Sequence, residues 1–470
     1  MTDLLTNLTA PPSPAEHASE FAAHTGLRER TEPPVVPDVL RGSLEHRARL
    51  LRDGTVGEEE LRRTCDDWSR RADSRYRATA TLRATRDFQP GRWIRLGVKD
   101  TIDVAGMPTG LGLRHHRTYP ARSAPGVTAL LSPESDVAAK VVTTELNVGI
   151  GSGCVNPWFP HLSPAGSSSG SAVAVAANIC DLGIGNDILG SVRWPAANCG
   201  LVGLRLTHDV SLLGGSLVIA PFLAALGLIA RSAADLRYAA RDRLAHIYGE
   251  AAPVRRIAIP AELTLETCHP LVRKAFERGC ELLTATGVQI IEAACRAWAH
   301  REAAWQHVAR AAAQTWDVLG PLADLPVQTA TDQVFADGRA ISDDTAGRLL
   351  GELIAARQAT RADMAALGID GWLLPVDPVP PRHIGPLPSG RTTIPASGRD
   401  ADYEARVGFT PVGSIGGLPT VTVPVLCDPV LDAPFSVQVS GLAGADVALV
   451  DLACGIERAD PFGVSERLPR

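Results

Sequence analysis

A stretch of small residues, Pro164 to Gly203 (PAGSSSGSAVAVAANICDLGIGNDILGSVRWPAANCGLVG), constrains the fold of this 470-residue chain more than any other segment. Glycine adopts backbone angles that other residues avoid, so Gly and Ser clusters permit tight turns. Short apolar runs alternate with such turns throughout Arg95 to Gly227. Short strands mixed with small-residue helices predict an α/β fold.

The rest of the chain divides by composition. Residues 1–38 are rich in Pro and polar residues, which predicts a mobile N-terminal tail. Helical periodicity dominates from about 234 to 367, and strand-like segments return from Gly371. Strand regions on both sides of a helical segment indicate one sheet with an insert. We therefore expect a single domain over 39–470 with a helical insert at about 234–367.

Charge and cysteine usage exclude several classes of function. The net charge is −6 and no cluster of five or more Lys and Arg occurs, so no nucleic-acid partner is expected. No apolar run approaches the roughly 18 residues of a membrane span. The nine Cys residues are scattered without a CxxC pair, as is typical of a cytoplasmic protein. No HExxH motif occurs, and we expect neither a metal nor an organic cofactor.

Lysine is rare in this chain. Only Lys99, Lys140 and Lys274 accompany a large excess of Arg among the 46 basic residues. Lysine can lose its proton and act as a base, whereas arginine stays charged. A serine hydroxyl needs such a base before it becomes an effective nucleophile. Burial would suit a lysine to this task, because removing an ammonium from water lowers its pKa.

The order of the motifs resembles that of the amidase signature family. The following motifs occur in the family's order: Gly166-Ser167-Ser168, Gly185 to Ser191, Arg193, Pro195-Ala196 and Cys199-Gly200. Upstream, Leu96 to Gly106 is similar to the strand on which the family carries its catalytic lysine. The resemblance implies an α/β fold with a mixed β-sheet core surrounded by α-helices.

The resemblance also implies a Ser-Ser-Lys triad, with Ser191 as nucleophile, Ser167 as bridging serine on a cis peptide and Lys99 as base. Asp187 and Arg193 would stand just behind these groups. The implied oxyanion hole consists of the backbone N–H groups of Ile188, Leu189, Gly190 and Ser191. The implied reaction is hydrolysis of a small-molecule amide through an acyl-enzyme, with no cofactor.

One departure from the family leaves other interpretations open. Leu189 stands where the family usually has glycine, and a side chain there restricts the backbone and crowds the pocket. A divergent member that transfers or binds an acyl group is one alternative. An ammonia-donating subunit of an amidotransferase is another, and the shared motifs do not separate them. The resemblance leaves a homodimer open and does not identify the substrate.

Overall fold

The computed structural model describes residues 35–148, 151–319, 327, 329–384 and 408–460. The predicted tail over 1–38 therefore lies outside the described residues except for its last few positions. Asp38 already begins the first helix.

One mixed sheet of eleven strands forms the centre of the described part of the chain. The strands are β1 (Thr79–Leu82), β2 (Ile94–Lys99), β3 (Ser135–Val141), β4 (Leu182–Asp187), β5 (Val202–Arg205), β6 (Ala225–Ala230), β7 (Arg256–Pro260), β8 (Gln289–Ala293), β9 (Gly371–Pro375), β10 (Thr420–Asp428) and β11 (Ala433–Gly441). Their order across the sheet is β1-β3-β2-β4-β6-β5-β10-β11-β9-β7-β8. Pairing is parallel along β3-β2-β4 and β9-β7-β8 and antiparallel elsewhere.

Helices surround this sheet, which confirms the predicted α/β class with a mixed core. They are α1 (Asp38–Arg41), α2 (Leu44–Arg52), α3 (Glu58–Tyr76), α4 (Pro125–Leu130), α5 (Ser169–Ala176), α6 (Arg193–Asn198), α7 (Ala233–Tyr248), α8 (Pro270–Ala285), α9 (Arg301–Val318), α10 (Thr329–Arg339), α11 (Asp343–Leu367), α12 (Pro411–Gly416) and α13 (Asp446–Ala459). Of the helices described, none combines the length and the apolar character needed to cross a membrane.

The span 234–367 differs from the helical insert that the sequence predicts. Two of its segments are strands, β7 and β8, which pair in parallel and extend the sheet beyond β9. Each strand has only five residues and lies between long helices of strong periodicity. Because the helical periodicity dominates this span, the sequence alone does not reveal the two strands.

Two buried parallel strands carry the residues of interest to one edge of the sheet. Every residue of β2 and β4 is buried, as expected for parallel strands covered on both faces. Gly97 permits close packing, since a Cβ there would lie 2.9 Å from Cys180 Sγ. Parallel strands end at the same edge, so Lys99 and Asp187, the last residues of β2 and β4, lie on that edge together.

A buried ion cluster joins the N-terminal helices to the sheet. Asp181 Oδ1 lies 2.7 Å from Arg47 Nη1 and 2.9 Å from Arg95 Nη2, and all three side chains are at most 1% exposed. Although burial alone would raise the pKa of Asp181, the two guanidinium groups hold it well below its usual range. The cluster therefore depends on both arginines to offset the cost of burying charge.

Replacing Arg47 with methionine is expected to destabilise the protein by about 3 kcal/mol, because Asp181 would keep only one of its two cationic partners. The measurement is the midpoint of thermal unfolding. Arg49→Met, on the exposed face of the same helix, is the matched control. Equal midpoints for the two variants would show that the buried pair contributes nothing to stability.

Candidate active site

Lys99 and Ser167 form a buried polar contact at this edge. Lys99 Nζ lies 2.6 Å from Ser167 Oγ, and Lys99 is fully buried. Ser167 follows the cis peptide bond Gly166–Ser167, a geometry that agrees with the sequence prediction. Burial lowers the pKa of Lys99 to about 7, although the Asp187 carboxylate opposes that shift. A lysine of this kind is partly neutral near pH 7 and can accept a proton.

The loop that carries Ser167 is held by the end of β3. The Ser167 carbonyl accepts hydrogen bonds from Thr143 Oγ1 at 3.1 Å and from the Thr144 N–H at 3.2 Å. A Cβ at Gly166 would come within 2.8 Å of Thr144 Cγ2. The loop is therefore packed too closely for a larger residue at 166, and the Ser167 hydroxyl keeps its position over Lys99.

Ser191 lies in a second turn that contacts the Ser167 loop. The N–H of Ser168 donates to the Ser191 carbonyl at 3.1 Å. Throughout residues 167–206, only Ser191 and Trp194 are not fully buried. The structure thus brings the turn of the predicted nucleophile against the loop of the predicted bridging serine, and Ser191 is one of the two residues through which this segment reaches solvent.

The turn before Ser191 supplies fewer backbone donors than the sequence predicts. The N–H of Gly190 donates to Asp187 Oδ1 at 2.9 Å, so this group is already used inside the protein. Within the described residues, the N–H groups of Ile188, Leu189 and Ser191 have no such acceptor. We therefore leave Gly190 out of the oxyanion hole proposed below and keep the other three.

The side chain at Leu189 does not strain this turn. Gly190, with φ of +123°, is the residue that needs the left-handed region, and Leu189 is not among the residues of positive φ. Leu189 is 7% exposed and packs into the hydrophobic core. The backbone restriction that the sequence suggested is therefore absent, because glycine occupies the position that requires it.

Two buried arginines hold the Asp187 carboxylate, which in turn accepts hydrogen bonds from the turn. Arg193 Nη2 lies 2.8 Å from Asp187 Oδ1, and Arg205 Nη1 lies 3.1 Å from the same oxygen. Burial alone would raise the pKa of Asp187, but the two guanidinium groups hold it well below its usual range. The carboxylate stays ionised, and it also accepts the N–H of Val192 at 3.2 Å.

Thr410 fixes the same turn from the opposite side. Its hydroxyl donates to the Leu189 carbonyl, and its own carbonyl accepts from Arg193 Nη1 at 2.6 Å. A Cβ at Gly190 would lie 2.6 Å from Thr410 Oγ1. The Leu189–Gly190 peptide is thereby held at both ends, by Thr410 at the carbonyl and by Asp187 at the N–H.

Sequence reasoning identified Lys99, Ser167 and Ser191 but missed two supporting residues. Thr410 belongs to a distant segment, and no local motif marks its contact with the turn. Arg205 offered one signal, because a charged residue ends the otherwise apolar strand VGLR. A buried arginine needs an acidic partner, and Asp187 is that partner.

The second buried lysine is the weaker candidate for the base, although burial lowers its pKa as well. Lys140 Nζ lies 3.2 Å from Asp100 Oδ1 and also donates to Thr109 Oγ1 at 2.9 Å and to the Pro108 carbonyl at 3.0 Å. Three acceptors around one ammonium stabilise its charged form. Among the described residues, Lys99 Nζ has Ser167 Oγ as its hydrogen-bond partner and no comparable set of acceptors, so Lys99 is the better candidate.

A search of the described residues for metal ligands finds no group of three or more His, Cys, Asp or Glu side chains placed to hold an ion. The side chains gathered at the edge of the sheet are instead hydroxyl groups, one lysine and a paired carboxylate. Such an arrangement can move a proton and activate a hydroxyl.

Known proteins are similar to this chain in sequence and in fold. The Amidase family model matches residues 94–450. Protein AmiA2 of Mycobacterium tuberculosis (strain ATCC 25618 / H37Rv) is 26% identical over 424 residues, or 82% of this chain and 83% of AmiA2. A glutamyl-tRNA(Gln) amidotransferase subunit from Roseiflexus castenholzii is 30% identical over 246 residues, or 47% of this chain and 50% of its own length. A solved amidase structure superposes with a TM-score of 0.73 at 26% identity, covering 89% of this chain and 99% of its own.

Proposed function

The chain belongs to the amidase family, and on that premise we propose that it hydrolyses linear carboxylic amides through a Ser191 acyl-enzyme. Ser167 relays the proton and Lys99 acts as the base. The observation that carries this proposal is the 2.6 Å contact between Lys99 Nζ and Ser167 Oγ, inside a site where Lys99 is fully buried. The adjacent turn with Ser191 supports the same assignment.

In the first half-reaction, Ser191 Oγ forms a bond to the amide carbonyl carbon while its proton passes to Ser167. Ser167 in turn gives its own proton to neutral Lys99. The carbonyl oxygen becomes an oxyanion, for which we propose the N–H groups of Ile188, Leu189 and Ser191 as donors. Losing one donor of this kind costs roughly 3 to 4 kcal/mol in other acyl-transfer enzymes.

Collapse of this intermediate breaks the carbon–nitrogen bond. Lys99 returns its proton through Ser167 to the departing nitrogen, which leaves as ammonia or an amine. In the second half-reaction a water molecule attacks the ester and passes its proton along the same route. The acid is released, and Ser191 regains its proton.

Two other activities are weighed against hydrolysis. A member that transfers the acyl group would form the acyl-enzyme but would need a nucleophile other than water. A member that only binds the acyl group would form the acyl-enzyme without turnover. An ammonia-donating subunit would need a partner protein, an activity suggested by the similarity to glutamyl-tRNA(Gln) amidotransferase subunits such as that of Roseiflexus castenholzii. The contact between Lys99 and Ser167, together with the presence of Ser191, favours an active enzyme over a binding protein. A cytoplasmic location, a homodimer and small-molecule substrates remain predictions.

A fluorophosphonate tests the proposal without knowledge of the substrate. The reagent should add once per chain, and peptide mapping of the labelled protein should find the adduct on Ser191. A Lys99→Ala variant should not react. Folded protein that remains unlabelled would contradict the proposal, because such reagents require both an activated serine and an anion pocket.

Thr410 should act as a positioning residue in this reaction. Thr410→Val keeps the side-chain shape but removes the hydrogen bond to the Leu189 carbonyl, so we expect kcat to fall about 10- to 100-fold. KM should change little, because the turn does not determine substrate binding. Thr410→Ser retains the hydroxyl and should keep most of the activity. Equal rates for the two variants would limit Thr410 to packing.

A further inference from the structure

An arginine from the helical segment between β8 and β9 holds the chain just ahead of Thr410. Arg301 is the first residue of α9, and its Nη1 donates a hydrogen bond to the Gly408 carbonyl at 3.0 Å. Its Nε donates to the Trp298 carbonyl at 3.2 Å, so the same guanidinium group is also fixed to its own segment. Arg301 therefore joins the start of α9 to the residues that lead into Thr410.

Two aromatic rings strengthen this contact. The rings of Trp298 and Phe409 are stacked, with centroids 5.4 Å apart and an angle of 17° between their planes. The guanidinium carbon of Arg301 lies 4.0 Å from the Trp298 centroid and 5.5 Å from the Phe409 centroid. A guanidinium group over aromatic faces is attracted to them, and the attraction grows where water is excluded. Phe409 is only 3% exposed, so the contact lies largely away from water.

The Gly408–Phe409 peptide is held at both ends. Its carbonyl accepts the hydrogen bond from Arg301, and its N–H donates to the Val376 carbonyl at 3.2 Å. Gly408 has φ of +54°, in the left-handed region that suits glycine. The Leu189–Gly190 peptide of the catalytic turn is held in the same way, by one partner at the carbonyl and another at the N–H.

Thr410 connects these two peptides. It follows Phe409 directly in the chain, and its hydroxyl donates to the Leu189 carbonyl. Hydrogen bonds weaken steeply as their geometry departs from the optimum, so a shift of the Gly408–Phe409 peptide would weaken this bond. Ser191 and the N–H groups proposed as oxyanion donors belong to the turn that the bond fixes. Arg301 can therefore influence these groups without contacting the substrate.

We propose that Arg301 is a positioning residue for the oxyanion turn, acting through the Gly408–Phe409 peptide and Thr410. This inference rests on the proposed amide hydrolase and adds to it a residue far from the signature motifs in the sequence. It also gives the helical segment between β8 and β9 a role in the reaction, which is to hold the turn in its reactive geometry.

Two other roles for Arg301 predict different results. If Arg301 bound the substrate, the loss caused by its replacement would add to the loss caused by Thr410→Val. If Arg301 served only the stability of the fold, its replacement would lower the thermal midpoint, and the folded protein would react at the wild-type rate. A positioning role predicts a slower reaction of folded protein that does not add to the effect of Thr410→Val.

The test measures the rate at which a fluorophosphonate labels Ser191, because this reagent needs the nucleophile and the anion pocket but no known substrate. Arg301→Met keeps a long side chain over Trp298 but loses the hydrogen bond to Gly408, and we expect labelling to slow about 10-fold. Arg301→Lys retains a cation and a donor, so it should keep most of the rate. Arg296→Met, an exposed change in the 3₁₀ turn before α9, is the matched control and should react like the wild type.

A double-mutant cycle asks whether the effect of Arg301 depends on Thr410. Thr410→Val should itself slow labelling, since it removes the hydrogen bond to the Leu189 carbonyl. In that background Arg301→Met should slow labelling by less than about twofold, because residues that act as one unit are not additive. A further loss of about 10-fold in the Thr410→Val background would overturn the proposal.

The remaining outcomes separate this inference from the function on which it rests. Folded wild-type protein that is not labelled would overturn the hydrolase, and this inference with it. A labelled wild type and an Arg301→Met variant of equal rate would overturn only the role of Arg301. Thermal midpoints are measured for every variant. A labelling rate that returns to the wild-type value well below the midpoint would also overturn the role of Arg301, because the residue would then affect only the fraction of folded protein.

Discussion

Replacing Ser191 with alanine is expected to lower amide hydrolysis by on the order of 10⁴ to 10⁶, the range found when a catalytic nucleophile is removed. The Ser191 hydroxyl is the only group proposed to form a covalent bond to the substrate. The backbone hydrogen bonds around it do not use this side chain, so the fold should persist. The measurement combines turnover with the thermal unfolding midpoint.

Ser74→Ala, on the exposed surface of α3, is the matched control and should retain full activity. A Ser191→Ala protein that kept wild-type turnover would refute the assignment of the nucleophile. Loss of turnover together with a collapsed unfolding midpoint would instead mark Ser191 as structural. The proposal requires that Ser191→Ala lose turnover and keep its unfolding midpoint.

The same variant helps to separate hydrolysis from acyl binding. If Ser191 forms an acyl-enzyme that water does not resolve, intact mass should show a stable adduct in the wild type and none in Ser191→Ala. Leu189 was the sequence feature that raised this alternative. Leu189 has no positive φ and its side chain is buried, so the conformational argument for this alternative no longer holds.

Sequence motifs could predict which residues meet in the candidate site because each motif is short and specific. Parallel strands β2 and β4 bring Lys99 and Asp187 to one edge, and Gly and Ser loops bring Ser167 and Ser191 to them. The class of fold followed from the same alternation of small-residue helices and short strands. Each of these features is local in sequence.

Other features of the fold and of the candidate site depend on contacts between distant segments, which sequence periodicity does not predict. Strands β7 and β8 lie within a long helical region and were missed. The hydrogen bond from Gly190 to Asp187 was missed because family motifs specify residue types, not how each N–H is used.

Replacing Lys99 with methionine should abolish the base, lowering turnover by on the order of 10³ or more. In the wild type, kcat/KM should fall about tenfold per pH unit below pH 7, since a base must be neutral to accept a proton and the pKa of Lys99 is about 7. The substrate for this profile is a neutral amide, so that the substrate itself does not titrate. A flat profile from pH 5 to 7 would contradict the role of Lys99.

The Lys99→Met variant should gain stability while it loses activity. The pKa of Lys99 falls from 10.5 to about 7 on folding, so between these values the unfolded chain binds a proton that the folded chain lacks. Wild-type stability therefore carries a cost, at most about 5 kcal/mol, that is complete below pH 7 and vanishes as pH rises towards 10.5. Lys99→Met carries no such cost, although it loses the hydrogen bond to Ser167. Its thermal midpoint should exceed that of the wild type at pH 7, and the difference should shrink as pH rises. A difference in thermal midpoint that does not depend on pH would show that folding does not lower the pKa of Lys99.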